Sequence, residues 1–302
     1  MGLEEACQAR CTKLPARRIA PLAAMAMLLL ACGAVGPPTR SPATAAPASP
    51  PPVPATAAAS LSHVFLIVME NKSYPQPLSA PYTKSLVRSF ASLDNYHAVA
   101  HPSLPNYLAL TSGSTWGIKD DSYHRLPPQD LGHQLTAAGI SWRAYMESMG
   151  SDCLKNVDQY AVKHNPFAYY GGGCPANVVG LDRLSPDLAG NAPNFVWITP
   201  NLCNDTHDCS LEIGDRWLSR TVPVITASPA WRDGGVLFIL WDESEGGQQN
   251  HVPGLVVAAN LSWHSSPAPF DHYSVLATVE DAFHLPRLGK AASAPTIPFK
   301  AA

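Results

Sequence analysis

Three uninterrupted apolar runs, each ending in oxygen- or nitrogen-bearing side chains, constrain this chain more than any other feature. They cover residues 63–69 (His-Val-Phe-Leu-Ile-Val-Met), 194–199 (Asn-Phe-Val-Trp-Ile-Thr) and 235–241 (Gly-Val-Leu-Phe-Ile-Leu-Trp). A run without polar alternation predicts a strand buried on both faces, and residues 254–259 read the same way. Helical patterns lie between the runs, over 79–93, 106–111, 130–138, 213–227 and 272–283. Buried strands alternating with helices predict an α/β domain with a mostly parallel sheet.

In such a sheet, ligands bind beyond the carboxyl ends of the strands. The first run is followed by Glu70-Asn71-Lys72-Ser73, and the second by Pro200-Asn201 and then Asn204-Asp205-Thr206-His207-Asp208. The third is followed by Asp242-Glu243-Ser244-Glu245. Any one acidic strand end is most simply a helix cap. Three at one edge point instead to a shared ligand.

The sequence before residue 61 has a different character. Arg17 and Arg18 precede an apolar stretch over 19–32 that is too short for a bilayer span of about 20 residues, and that resembles a secretory signal. Its end, Leu29-Leu30-Ala31-Cys32-Gly33, resembles a lipoprotein box with Cys32 as the lipid-bearing residue, although Leu30 is larger than such a box prefers. Plain cleavage nearby is the alternative. Residues 33–60 are nearly all Ala, Pro, Ser, Thr and Gly, which predicts a disordered tether. We therefore expect a signal segment over 1–32, a tether over 33–60 and one catalytic domain over 61–302. Many of the 30 prolines belong to that tether, so the overall composition misdescribes the folded part.

A net charge of −3 without any Lys/Arg run excludes an electrostatic footprint for nucleic acid. Of seven cysteines, Cys153, Cys174, Cys203 and Cys209 fall in the folded part. Short loops favour Cys153–Cys174 and Cys203–Cys209, which an exported protein would keep oxidised. A structural zinc site is the competing reading, and no CxxC spacing supports it.

Glu70, Asn71, Asp242 and Glu243 are oxygen donors on separate strand ends, suited to a divalent cation such as Mg²⁺, Ca²⁺ or Mn²⁺. A histidine ligand, His207 or His251, would move the preference toward Zn²⁺ or Mn²⁺. Ser103 opens the stretch 103–113, where a helix start favours an alkoxide and a phosphate; the same position also suits an ordinary N-cap. No G-x-S-x-G elbow surrounds it. His207, flanked by Asp205 and Asp208, suits general acid work or metal binding. His251 is a weaker candidate, and His272 suits a cap or packing as well as a function. His63, His97, His124, His133, His164, His264 and His284 carry no expected role.

Together the blocks Glu70-Asn-Lys-Ser, His101-Pro-Ser-Leu-Pro-Asn-Tyr-Leu-Ala-Leu-Thr-Ser-Gly113, Thr199-Pro-Asn-Leu-Cys-Asn-Asp-Thr-His-Asp-Cys209, Gly214-Asp-Arg-Trp-Leu218, Trp241-Asp-Glu243 and Asp271-His-Tyr-Ser274 resemble the bacterial phosphoesterase family. That family includes secreted acid phosphatases, some acting on phosphoinositides, and phospholipases C. The resemblance implies an alkaline-phosphatase-like three-layer α/β/α sandwich. It implies metal binding by Glu70, Asn71, Asp242 and Glu243, although Lys72 stands where the family usually has Arg. It further implies Ser103 as nucleophile, Asn106 on a phosphate oxygen, His207 at the phosphate or the leaving group, and His251 as a substrate contact. The expected protein is an exported metal-dependent acid phosphatase working through a phosphoserine, its substrate a phosphorylated small molecule or phosphoinositide. A phospholipase C-type diesterase and a non-catalytic lipoprotein that binds phosphorylated ligands are the alternatives.

Overall fold

The computed structural model describes residues 61–246, 249–259 and 261–299. The expected signal segment, tether and Cys32 lie outside the described residues. The three apolar runs form β1 (Val64–Met69), β6 (Phe195–Thr199) and β7 (Val236–Trp241), parallel neighbours at the centre of an eight-stranded sheet. Every residue of these strands is buried, as the missing alternation requires. Each large apolar side chain so placed contributes about 1.5–3 kcal/mol. Outward from β6 lie β4 (Trp142–Met146) and β5 (Val178–Gly180), also parallel.

The other half of the sheet departs from the parallel pattern. The fourth run becomes β8 (Gly254–Val257), antiparallel to β7, with Leu240 opposite Gly254. Its amino end therefore arrives at the edge where β1, β6 and β7 end. Beyond it come β2 (Ala91–Leu93) and β9 (Ser265–Ser266), and a separate short pair joins β3 (Tyr96–His97) to β10 (Phe270–Asp271). The helix expected over 79–93 stops at Ser89 as α1 (Pro81–Ser89), because Ala91 and Ser92 pair with β8. β4 escapes the apolar-run criterion: Arg143 interrupts it, and finds Asp187 and, through it, Tyr145.

Two groups of helices complete the sandwich. One packs α1 against α5 (Leu211–Thr226), which also meets α6 (Pro229–Arg232), itself in contact with α4 (Leu184–Ala189). The other packs α2 (Ser103–Ser112) against α7 (His272–Ala282) and α3 (Leu131–Ala137). Asp215 of α5 caps α1, accepting from the Tyr82 N–H (2.9 Å) and the Thr83 N–H (2.8 Å). Asp271 closes a capping box with Ser274 on α7, so the aspartate, not His272, is the cap. Both expected disulfides, Cys153–Cys174 and Cys203–Cys209, are present. No helix among the described residues is long and apolar enough to cross a membrane.

Candidate active site

The turn after β1 builds the floor of the site. Glu70 is fully buried, and its N–H donates to the Asp205 carbonyl at 2.8 Å, which ties the β1 end to the β6 end. Asn71 follows in the left-handed region (φ 44°), where an asparagine is tolerated. From there its N–H reaches Asp242 Oδ1 (3.0 Å) and its amide NH₂ reaches Glu243 Oε1 (2.8 Å), tying β1 to β7.

The loop after β6 reaches the same point under strain. Thr206, a β-branched residue at φ 82°, costs on the order of 1–3 kcal/mol in that conformation. Its hydroxyl donates to the Glu70 carbonyl at 2.7 Å. Gly214 of α5 makes room for it, since a Cβ there would meet Thr206 Cγ2 at 2.3 Å. The Cys203–Cys209 bridge closes this loop around Asp205 and His207.

Ser103 is the first residue of α2, not its N-cap. Pro102 holds the cap position, and the Leu104 N–H is instead satisfied by Asp121 Oδ1 at 3.0 Å. The Ser103 hydroxyl points at two carboxylates, 3.1 Å from Glu70 Oε2 and 3.1 Å from Glu243 Oε1. One hydroxyl proton cannot serve both. Glu243 also pairs with His101. Next to Ser103, an open cavity of ≈ 530 Å³ is lined by its neighbour Pro102 and its partner Glu243, with Asn71, Lys72, His101 and His207 among the others.

Beneath Ser103, potential ligand atoms of Glu70, His164 and Asp205 lie within 4.8 Å of one another, all buried. His164 Nε2, Asp205 Oδ2 and Asp242 Oδ2 are buried without a hydrogen-bond partner. The His164–Glu70 contact of 3.2 Å lacks hydrogen-bond geometry. Burial, reinforced by neighbouring carboxylates, raises the Glu70 carboxyl well above its ordinary range. Burial does the same for Asp205, and pushes Asp242 up to about 7 with help from Glu243. It also drives His164 well below the usual imidazole range, leaving a neutral ring. Buried carboxyls, a neutral imidazole and orphaned polar atoms fit a divalent cation, which would satisfy the orphans and reverse the carboxyl shifts. The mixed oxygen and nitrogen donors do not select one metal.

The phosphoesterase family model matches residues 74–286. The chain belongs to the phosphoesterase family, and is a hydrolase of phosphate esters. It is similar to a phosphatidylinositol-3-phosphatase of Mycobacterium tuberculosis, 31% identical over 253 residues that cover 80% of this chain and 84% of that one. It is also similar to a probable acid phosphatase of Kluyveromyces lactis, 27% identical over 254 residues, 77% of this chain and 60% of that protein. Among solved structures, an alkaline phosphatase superfamily protein of Vibrio parahaemolyticus shares the fold at a TM-score of 0.56. That match has 11% identity and covers 81% of this chain and 72% of the other.

Within this phosphoesterase the expected residues separate. Ser103, Glu70, Asn71, Asp242 and Glu243 converge: Glu70 and Glu243 face the hydroxyl, Asn71 bridges Asp242 and Glu243, and Glu70 also belongs to the buried cluster. His207 stands at the rim, Nδ1 2.6 Å from Asp208 Oδ1 and Nε2 3.3 Å from Lys163 Nζ. Asn106, expected on a phosphate oxygen, is fully occupied elsewhere. Its oxygen accepts from the Val99 and Ala100 N–H groups, and its NH₂ donates to the Ala100 and Pro102 carbonyls. It clamps the loop that delivers Ser103, whose backbone polar groups need partners. His251 also stays out: its ring stacks between Tyr74 (4.3 Å) and His97 (4.8 Å), and Nε2 donates to the Asp94 carbonyl at 3.0 Å.

Sequence reasoning misses His164 and undervalues Asp205. His164 closes a 3₁₀ turn (Val162–His164) that follows no apolar strand, so no strand-end rule reaches it. Asp205 reads only as a neighbour of His207. The signal for Asp205 is the Asn201–Asp208 loop, whose polar residues outnumber what a turn requires. Tyr107 is also missed: one turn below Ser103, its hydroxyl binds Glu70 and its ring stacks on His164 at 5.3 Å.

Proposed function

We propose that this phosphoesterase is an exported, metal-dependent acid phosphatase that cleaves phosphate monoesters with Ser103 as its nucleophile. The observation that carries the reading is the Ser103 hydroxyl, held 3.1 Å from two carboxylates at the buried start of α2 and next to an open cavity. Ser103 Oγ attacks phosphorus as the alcohol oxygen departs, and the hydroxyl proton passes to Glu70 or Glu243. Asp208 holds Nδ1 of His207 and Lys163 Nζ lies 3.3 Å from its Nε2, so this pair at the cavity rim shares the N–H proton that passes to the departing oxygen. Water then cleaves the phosphoserine. Glu70, His164 and Asp205, with the unpartnered Asp242 oxygen near them, would hold a divalent cation, which would neutralise charge on the phosphoryl oxygens and acidify the hydroxyl. Asn71 and His101 fix the Glu243 carboxylate, and Asn106 fixes the loop.

Relatives named for acid phosphatase and phosphatidylinositol-3-phosphatase activity support a monoester substrate, a phosphoinositide among the candidates. Two disulfides support an oxidising compartment. Export through residues 1–32, a tether over 33–60 with Cys32 as a lipid attachment point, and a catalytic domain over 61–302 complete the reading. Mixing enzyme with a chromogenic phosphate monoester and quenching in acid should trap a phosphorylated chain by intact mass, on a peptide containing Ser103. Ser103→Ala should lose that adduct and at least about 10³-fold in kcat with an unchanged melting curve. An adduct on another residue, or near-normal turnover in the variant, overturns the assignment.

A further inference from the structure

A second cavity of ≈ 200 Å³ opens beside the site, and its wall includes Asp121, Tyr123, Asn156, Lys163 and Tyr169. Two contacts join it to the chemistry. Asp121 Oδ1 accepts from the Leu104 N–H, one residue past Ser103, while Oδ2 accepts from Lys163 Nζ at 3.0 Å. Lys163 in turn meets His207 Nε2, and His207 lines the larger cavity next to Ser103. Lys163 thus stands on the boundary between the cavities, next to the imidazole that faces the departing oxygen. The alcohol half of a substrate with its phosphate over Ser103 would extend across this boundary.

We propose that the smaller cavity is the leaving-group subsite, and that it takes a hydroxyl-rich alcohol, a cyclitol or sugar, rather than an acyl chain. This rests on the reading of Ser103 as nucleophile toward monoesters. The wall carries the donors and acceptors that adjacent hydroxyls need. Lys163 has three N–H groups and two partners, leaving one for a ligand. Each Asp121 oxygen keeps a free lone pair. Asn156 accepts from the Val162 N–H at 2.8 Å through its carbonyl oxygen, so its NH₂ is the group left for a ligand. Tyr123 is 46% exposed and packs on buried Tyr169 with ring centroids 5.1 Å apart, presenting a supported aromatic face to the C–H side of such a ring. Drug-sized sites span about 300–1,000 Å³, so the cavity holds a headgroup-sized fragment and excludes two acyl chains.

The test measures kcat/KM of the full chain for inositol 1-phosphate, butyl phosphate and methyl phosphate. In Tyr123→Ala and Lys163→Met the ratio of inositol phosphate to methyl phosphate should fall about tenfold, with the butyl-to-methyl ratio unchanged. If Lys163→Met fails to fold, the exposed Tyr123 ring still provides the test. Equal ratios in wild type and Tyr123→Ala, or a fall confined to butyl phosphate, overturn the subsite alone. A wild-type chain that releases phosphate from none of the esters overturns the monoester reading and the subsite together.

Discussion

The carboxyl edge of the sheet has two histidine-rich flanks with opposite chemistry. On the β6 side, His164 touches Glu70 and Asp205 without hydrogen-bond geometry at Nε2, and a buried oxygen of Asp205 lacks a partner, as does one of Asp242 at the end of β7. On the β8 side the imidazoles are settled. His251 donates to the Asp94 carbonyl, and His97 reaches the Gln249 carbonyl and Asn95. His272 donates through Nε2 to the Asp242 carbonyl (2.7 Å) and accepts from the Tyr96 hydroxyl (2.6 Å), and burial pushes it down to about 4. A buried polar atom without a partner costs about 1–3 kcal/mol. One flank keeps such atoms open for a ligand, while the other commits its imidazoles to architecture.

The largest expected effect breaks the first flank at its centre. Glu70→Gln should lower kcat by about 10³-fold or more, measured on a chromogenic monoester with excess metal, because Glu70 joins the hydroxyl to the buried cluster. The two flanks then separate in a paired experiment. His164→Asn should cost about 10²-fold in activity with little change in melting temperature, since it removes an unsatisfied ring. His251→Asn should do the reverse, losing about 1 kcal/mol of stability through the lost stack and keeping activity within about threefold. Equal losses of activity would erase the distinction.

Metal removal addresses the open flank itself. After exhaustive chelation, saturating divalent cation should raise the melting temperature of the wild-type chain by about 5 °C, and that of Glu70→Gln by far less. The smallest effect concerns Glu280, whose Oε2 is orphaned although the residue lies far along α7 from the edge. Burial pushes its carboxyl up to about 8, while Oε1 accepts from the Leu288 N–H at 2.8 Å. The folded chain therefore holds this proton more tightly than the unfolded chain, and stability falls as pH rises from about 4.5 to 8. Glu280→Gln should flatten that fall, gaining on the order of 1 kcal/mol over wild type at pH 8 in urea midpoints, with no change at pH 4.

Much of this arrangement is legible in the residues themselves. Val64–Met69, Phe195–Thr199 and Val236–Trp241 announce buried strands because nothing polar interrupts them, and the polar residues at their carboxyl ends announce the edge. Trp142–Met146 is silent because Arg143 is satisfied by Asp187, a partner 44 residues away. The direction of β8 is equally hidden, since an apolar run has no polarity of its own. At the site, Asn106 has the residue type and position of a ligand contact but gives its amide to the loop at 99–102. His164 shows the converse: an ordinary Lys-His-Asn triplet that only the third dimension brings under Glu70.

The one-sidedness of the sheet has a practical consequence. Chain entering at residue 61 joins β1 at Val64, the end remote from Glu70, and six strand residues separate them by about 20 Å. Fusion partners, labels or surface linkages placed ahead of residue 61 thus meet the domain at its chemically blank end. Immobilised there, the enzyme should keep its mouth open to dissolved ester, whereas a linkage through His101 or the 243–246 loop would block it.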